Sequence, residues 1–551
     1  MNGRTRGPRG MIVTESRDVD AVAETVDALR SEARFDEALA VIGEVWPQIS
    51  TVHGVRLRGL IESIPAEEWQ HRPWILAAVG ASYHSIDSTS RSAALPWFHA
   101  AERLISGGDG MPVSIVAGVQ LHHAGVLRSL GRLTTARHAS TTARESLATD
   151  VALPPPVRVH LQATAELHLG VIALHLGEYD DARRHLHLAL GLGETSLVAT
   201  ELTECLSCLA HLAYAAGDFA QALQLIDRAR TVAAEHGIAR SRFVAPALAT
   251  EVLIAVEQDR LVDAVALSPT LAEAGTASEW EPLAHNAIGS IAVISGRHIE
   301  GLDELRSSIT ATFDWEPPPS IRHTSEGMRA VLLMHLGELE EATAIFESLH
   351  PSHNHAQCPA RFLAGIRFSH GDIQGTLDAL RECGRLGDRH SARTLVDVLL
   401  LRAAANYELG NNRIADVALD RALLTAARNG MKRPFLLVPE HTLAAMLERA
   451  TLRRQPEVVL RIIAHLRSAS RDSGLDTVAT LSAREREIAR VLDVDTTVGQ
   501  LAAELFISSN TVKTHLRSIY RKIGASTRQQ AVTRLRELGL RGDPTRREIT
   551  R

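Results

Sequence analysis

Lysine is nearly missing from this chain: 551 residues hold three of them, against 56 arginines. Cysteine is sparse too, at four, aromatic residues make up 4% of the chain, and no run of 18 apolar residues occurs. So few cysteines exclude a disulfide framework and point to a reducing compartment. Without a long apolar run there is no membrane span. The first residues, with Arg4, Arg6 and Arg9 among glycine and proline, lack the apolar core of a signal peptide, so a cytoplasmic protein is expected. The lysine census also excludes an ATPase. A phosphate-binding loop needs Gly-x-x-x-x-Gly-Lys-Ser/Thr. Lys432, in Asn429-Gly-Met-Lys-Arg-Pro434, has neither the upstream glycine nor the following hydroxyl, and the glycine cluster Ser106-Gly-Gly-Asp-Gly110 has no lysine. A phosphoacceptor receiver is excluded because the N-terminal third lacks alternating strands and helices. No Ser/His/Asp or Cys/His arrangement can be placed by spacing, and the chain is not expected to be an enzyme.

Two of the three lysines fall in one C-terminal stretch, Ser508-Ser-Asn-Thr-Val-Lys-Thr-His-Leu-Arg-Ser-Ile-Tyr-Arg-Lys522. Taken as a helix capped by Ser508 or Ser509, it lines up Val512, Leu516, Ile519 and Ile523 on one stripe, the core side. Asn510, Lys513, Thr514, Arg517 and Arg521 fall on the opposite flank, with donors suited to nucleic acid. Upstream, Thr497-Val-Gly-Gln-Leu-Ala-Ala-Glu-Leu505 reads as a short helix capped by Thr497, with a turn at Phe506-Ile507, and the pair makes a helix-turn-helix. Leu481 to Leu492 is an amphipathic helix with Ser482 and Glu485 spaced as a capping box, and Ser526 opens a fourth helix. Residues 481 to 551 carry 14 basic and 8 acidic side chains, a net of +6; the preceding 480 carry 45 and 57, a net of −12. Nucleic acid should therefore meet the tail alone.

The quoted elements Leu481-Ser-Ala-Arg-Glu485, Leu501-Ala-Ala-Glu-Leu505, Ser508-Ser-Asn-Thr-Val-Lys-Thr-His515 and Lys522-Ile-Gly524 resemble the LuxR-type, or FixJ/NarL-type, DNA-binding domain. The resemblance covers residues 481 to 540. It departs from the family pattern at Asp495, usually a glycine, and at Gly499 inside the scaffold helix, which costs about 1 kcal/mol against alanine. The resemblance implies that Lys513, Thr514 and Arg517 face base edges in the major groove, while Thr511, Arg521, Lys522 and Arg528 hold the DNA backbone. It also implies a homodimer on double-stranded DNA. Ala531, Leu535 and Leu538 are candidate dimer contacts, with completion of the domain core as the alternative.

The other residues contain a recurring unit, a glycine followed two residues later by an aromatic or aliphatic residue and then by a small one. It occurs at Gly131–Ala136, Gly177–Ala182, Gly217–Ala222, Gln258–Ala264, Gly296–Gly301, Gly337–Ala342, Gly371–Thr376 and Gly410–Ala415. Successive starts are 34 to 46 residues apart, the period of stacked helical hairpins. Each glycine is expected to end a first helix in a left-handed cap, and each alanine to let the second helix pack close. Arg34-Phe-Asp-Glu-Ala38 is an earlier copy, and residues 77 to 105 hold a degenerate one. The pattern resembles tetratricopeptide repeats, whose concave surface accommodates a peptide, a protein helix or a small ligand.

The expectation is therefore an all-α chain. A disordered N-terminus (1–13) leads into a tetratricopeptide-like solenoid (14–467), followed by a linker (468–480), a four-helix LuxR-type domain (481–540) and a basic disordered tail (541–551). The leading reading is a bacterial transcription regulator whose repeats sense a ligand or partner; the rival is a repeat-based scaffold with a vestigial DNA domain. No metal or cofactor is assigned. Cys205-Leu-Ser-Cys208 has metal spacing but lies inside a repeat helix without a second pair. The run His350, His353, His355 and Cys358 is the richer donor set, in a connecting loop. His175, His185 and His187 are expected on a repeat's surface or groove.

Overall fold

The computed structural model describes residues 19–86, 91–107, 111–150, 153–295, 297–310, 318–336, 338–472, 481, 483–494 and 496–505, and most positions between 512 and 537. The termini expected to be disordered, 1–13 and 541–551, lie outside the described residues. The described residues are helical hairpins with no strand among them. The chain is all-α, a tetratricopeptide-like solenoid followed by a small helical domain.

Hairpin geometry follows the glycine signature closely. The helix Pro155–Leu176 ends at Gly177 (φ +81°), where the Gly177 N–H donates to the Leu174 carbonyl and the Glu178 N–H to the Ala173 carbonyl, and Tyr179–Gly191 runs back. The same left-handed turn recurs at Gly131, Gly217, Gly371 and Gly410, and at Ala33 in the first copy. In the Gln258–Ala264 unit the turn sits one residue later than expected, at Asp259 (φ +58°), because aspartate is one of the few non-glycine residues that tolerate this region. Gly296 and Gly337 lie outside the described residues. The alanine that follows each turn is buried at 38, 136, 182, 222, 264, 342 and 415, and Gly301 takes its place where even a Cβ would come within 2.8 Å of Ala292. Pro155 and Pro319 open helices, since their fixed φ and missing N–H suit the first turn. The last hairpin's second helix, Glu457–Asp472, extends five residues past the expected boundary at 467.

The stack coils tightly enough for later hairpins to seal onto earlier ones. A first helix leaves carbonyls near its C-terminus without an intrahelical partner. At equivalent positions of three successive repeats, two residues before the left-handed turn, those carbonyls accept a hydrogen bond from a distant segment. Ser320 Oγ donates to His175 O at 2.8 Å, Ser391 Oγ to Ala215 O at 2.6 Å, and Lys432 N–H to Glu257 O at 2.8 Å. One apolar core runs through this seam from Ala163 to Ile463. Arg128 is buried at the inner side of the coil, 2.7 Å from Glu204 and 2.9 Å from Glu279, which joins three hairpins through one guanidinium. Burial pushes the Glu204 carboxyl above its ordinary range, and Arg128 pulls against that shift. His175 is buried rather than displayed on the surface. Its ring packs on Trp280 with centroids 4.5 Å apart, and neither ring nitrogen has a hydrogen-bond partner. His185 is half-buried against Glu166, and His187 is exposed.

A Cβ at Gly217 would lie 2.4 Å from Arg393 N and 2.8 Å from Ala392 Cβ, whereas one at Gly410 meets nothing within 4 Å. Gly217→Ala should therefore cost about 2–4 kcal/mol, from left-handed strain plus overpacking, and Gly410→Ala only about 1–2 kcal/mol. Comparable costs in denaturant unfolding would contradict the seam. Burial holds the His175 imidazole down at about 3, so the folded state binds fewer protons than the unfolded chain below the ordinary histidine range. Stability should fall as pH drops below about 6.5, by about 2 kcal/mol at pH 5 for this residue. His175→Phe should remove that share of the pH dependence of the melting temperature.

Candidate nucleic-acid interface and repeat pocket

The C-terminal domain is built around one small core, with Leu481, Ile488, Leu492, Leu501, Val512, Leu516, Ile519 and Ile523 all buried. The stripe expected from 100° periodicity is thus the core face. Lys513, next to buried Val512, is exposed. The scaffold helix Val498–Glu504 opens with the expected cap at Thr497. The Gln500 N–H donates to Thr497 Oγ1 at 3.2 Å, and the Thr497 N–H to Gln500 Oε1 at 2.7 Å, a capping box that Gln500 completes. Gly499 has no packing partner that requires a glycine. The last helix, Arg528–Glu537, is capped by Thr527, whose Oγ1 accepts the Gln530 N–H at 3.2 Å. Asp495, the turn at Phe506 and Ile507, Ser482, Ser508, Ser509 and Ser526 lie outside the described residues.

Of the residues expected at DNA, Thr511, Thr514, Arg517, Arg521 and Lys522 also lie outside the described residues. Arg528 is half-buried and donates through Nε to the Asp493 carbonyl at 2.6 Å, which ties the last helix to the loop before the scaffold helix. Its Nε is thus engaged inside the domain, while Nη2 is buried without a hydrogen-bond partner. Ala531 and Leu535 are buried in the core, with 0% of their surface exposed, so they complete the domain rather than offer dimer contacts; Leu538 lies outside the described residues.

In the solenoid, the two turns of the coil enclose a pocket of about 160 Å³ that opens to solvent. Its lining is largely apolar and aromatic, with Tyr179, Tyr214, Leu253, Leu283, Val293, Phe346 and Phe362, and among these it carries Glu257, Arg361, Arg393 and Arg433. Arg393 lies 3.7 Å and Arg433 3.5 Å from Glu257, while Arg361 pairs with buried Asp397. Burial raises the Glu257 carboxyl, but Arg433, Arg393 and Arg361 together outweigh it and hold the group below its ordinary range, ionised. Burial prevails at Asp397, which is raised. Arg393 also stacks 4.8 Å from the Tyr214 ring centroid and donates to the Ala356 carbonyl at 2.6 Å, and its Nε and that of Arg361 are buried without a hydrogen-bond partner. No local sequence signal marks this pocket, because its walls come from residues 179 to 433 and meet only once the coil closes.

Cys205 and Cys208 are buried within the helix Ala199–Ala216, and Cys205 Sγ contacts the Leu186 carbonyl at 3.5 Å; burial pushes both thiols above their ordinary range. They are core residues. The run His350 to Cys358 divides: His350 and His353 are exposed, while His355 and Cys358 are buried. Among the described residues, no helix is long and apolar enough to cross a membrane.

Comparison with known proteins bears on the C-terminal domain. Residues 479–535 match the family described as bacterial regulatory proteins, luxR family. The spore germination protein GerE of Bacillus subtilis is 42% identical over 59 residues, which are 11% of this chain and 80% of that protein. The CsgBAC operon transcriptional regulatory protein of Escherichia coli is 46% identical over 55 residues, covering 10% of this chain and 26% of that protein. The HTH-type transcriptional activator RamA of Corynebacterium glutamicum is 31% identical over 183 residues, covering 31% of this chain and 60% of that protein. The chain thus spans less than two thirds of these last two relatives. A solved structure, the APC/C hetero-tetramer Cut9-Hcn1, is similar over 95% of this chain and 96% of that one, at 12% identity and a TM-score of 0.37; the repeat assignment rests instead on the hairpins themselves. The relatives are transcription regulators, and through its C-terminal domain the chain belongs to the luxR family of bacterial regulatory proteins.

Proposed function

We propose that this chain is a cytoplasmic, sequence-specific transcription regulator. In this reading its C-terminal domain reads DNA through Lys513, Thr514 and Arg517, and its repeat pocket binds a small effector that changes how the domain is presented. The observation that carries the DNA reading is exposed Lys513 beside buried Val512, in a segment of net charge +6 on an acidic body. Lysine and arginine suit guanine O6 and N7, and a threonine methyl suits thymine. Thr511, Arg521 and Lys522 would grip phosphates, whereas Arg528 is engaged by Asp493. Two copies would bind half-sites about one helical turn apart. Their contact would use the exposed positions Gln529, Gln530 and Thr533 of the last helix, since Ala531 and Leu535 face the core.

For the effector, pocket size and wall chemistry favour a small amphipathic anion: an apolar and aromatic lining that also carries three guanidiniums against the single carboxylate of Glu257. A long partner helix is disfavoured, because later hairpins occupy the inner face of the coil along the seam.

DNA binding is tested by salt titration on promoter fragments. Lys513→Ala and Arg517→Ala should each erase sequence preference worth about 1–3 kcal/mol, while Lys522→Ala should weaken all sequences alike and reduce the salt slope by about one. If the three variants behave identically, the division into base readers and phosphate clamps is wrong. For the pocket, native mass spectrometry of the full chain from its host should detect a bound small anion that Val293→Trp displaces. An adduct that survives that substitution would place the effector elsewhere.

A further inference from the structure

His355, Cys358, Cys383 and His390 come from three separate segments: the loop before the helix Ala360–Ser369, the helix Arg381–Leu386, and the residues leading into Ala392–Glu408. All four are buried, and their donor atoms lie within 4.8 Å of one another. The inner distances are 3.6 Å between Cys358 Sγ and Cys383 Sγ, 3.6 Å between Cys358 Sγ and His355 Nδ1, and 3.5 Å between Cys383 Sγ and His355 Nδ1. A disulfide needs about 2.05 Å between sulfurs. Tetrahedral zinc, with bonds of about 2.3 Å to sulfur and about 2.05 Å to nitrogen, instead sets sulfurs about 3.8 Å apart and sulfur from nitrogen about 3.6 Å. The three inner distances are close to those values.

The fourth donor is prepared by its neighbours. His390 Nδ1 faces the Ser391 carbonyl at 3.1 Å, and since a carbonyl only accepts, the ring proton belongs on Nδ1. Nε2 then carries a lone pair, and it is buried without any hydrogen-bond partner. An imidazole 3% exposed, with its acceptor nitrogen unused, is costly unless something binds it. The loop is held in place as well. His355 has a left-handed backbone (φ +53°), a conformation that a non-glycine residue keeps only when its surroundings enforce it. Its carbonyl accepts the Thr394 hydroxyl at 2.7 Å, and the Asn354 carbonyl accepts the Ser391 N–H at 2.7 Å.

We propose that His355, Cys358, Cys383 and His390 form a structural Cys2His2 site for a zinc ion. The site sits at the seam: Ser391, next to His390, closes the coil on Ala215, and Cys358 forms part of the pocket wall. Zinc would lock the loop 355–358 to the start of the helix Ala392–Glu408 and so fix both the seam and one side of the pocket. The four protein donors complete a tetrahedron, which assigns the ion a structural role.

The test uses the full-length chain, stripped with chelator under reducing conditions and titrated with Co(II). The expected result is one cobalt per chain, with the visible bands of a tetrahedral ion and a thiolate-to-cobalt charge-transfer band that added Zn(II) abolishes. Cys383→Ser should halve the charge-transfer intensity, and His390→Ala should weaken binding. Cys205→Ser with Cys208→Ser, and His350→Ala with His353→Ala, should leave the spectrum unchanged. Because the titration of the unaltered chain needs no variant to fold, it decides by itself: absence of tetrahedral bands overturns the proposal. So does a spectrum lost with His350 and His353, or a Cys358–Cys383 disulfide found by mass spectrometry in chain purified without oxygen.

Discussion

The solenoid depends on what happens to the carbonyl two residues before each left-handed turn. A helix end leaves such groups without partners, and an exposed hairpin would give them to water. Here three of them, at His175, Ala215 and Glu257, are taken by Ser320, Ser391 and Lys432, so the coil turns back on itself at the repeat period and closes. The pocket is the space between the two turns that this closure brings together. The buried guanidiniums serve the same closure. Arg128 joins three hairpins, and Arg393 links Glu257, Tyr214 and the Ala356 carbonyl across the seam. Such buried charges specify an arrangement more than they stabilise it, because desolvation offsets most of the Coulomb gain.

The hairpins were legible in the sequence because a left-handed cap has a local signature: glycine, a helix-opening residue, a small residue. Where the signature blurs, at Gln258, the left-handed turn sits one residue later, at Asp259. The seam was not legible. Its hydrogen bonds join residues as far apart as Ser391 and Ala215, and a serine that caps a distant carbonyl looks like any other serine. An open groove was therefore expected where the coil encloses a pocket.

The same distinction governs the sites. Val512, Leu516, Ile519 and Ile523 were assigned to the core by periodicity alone and are buried. Ala531 and Leu535, candidate dimer contacts with completion of the core as the alternative, are buried in the core, and Arg528 Nε donates to the Asp493 carbonyl. Of the histidine- and cysteine-rich loop run, His355 and Cys358 join the buried four-donor cluster, whereas His350 and His353 are exposed. The partners Cys383 and His390 lie 25 and 32 residues beyond Cys358, a spacing that only the folded repeat explains. Lys513, one of only three lysines in the chain, is exposed in the C-terminal domain.

In the proposed function a closed, effector-binding coil controls a domain that reads DNA by sequence. Genome-wide crosslinking of the full-length chain in its host tests it most directly. The account predicts discrete sites that share a two-fold-related motif with half-sites about one helical turn apart, lost with Lys513→Ala. Diffuse binding without a shared motif, unchanged by that substitution, would contradict it.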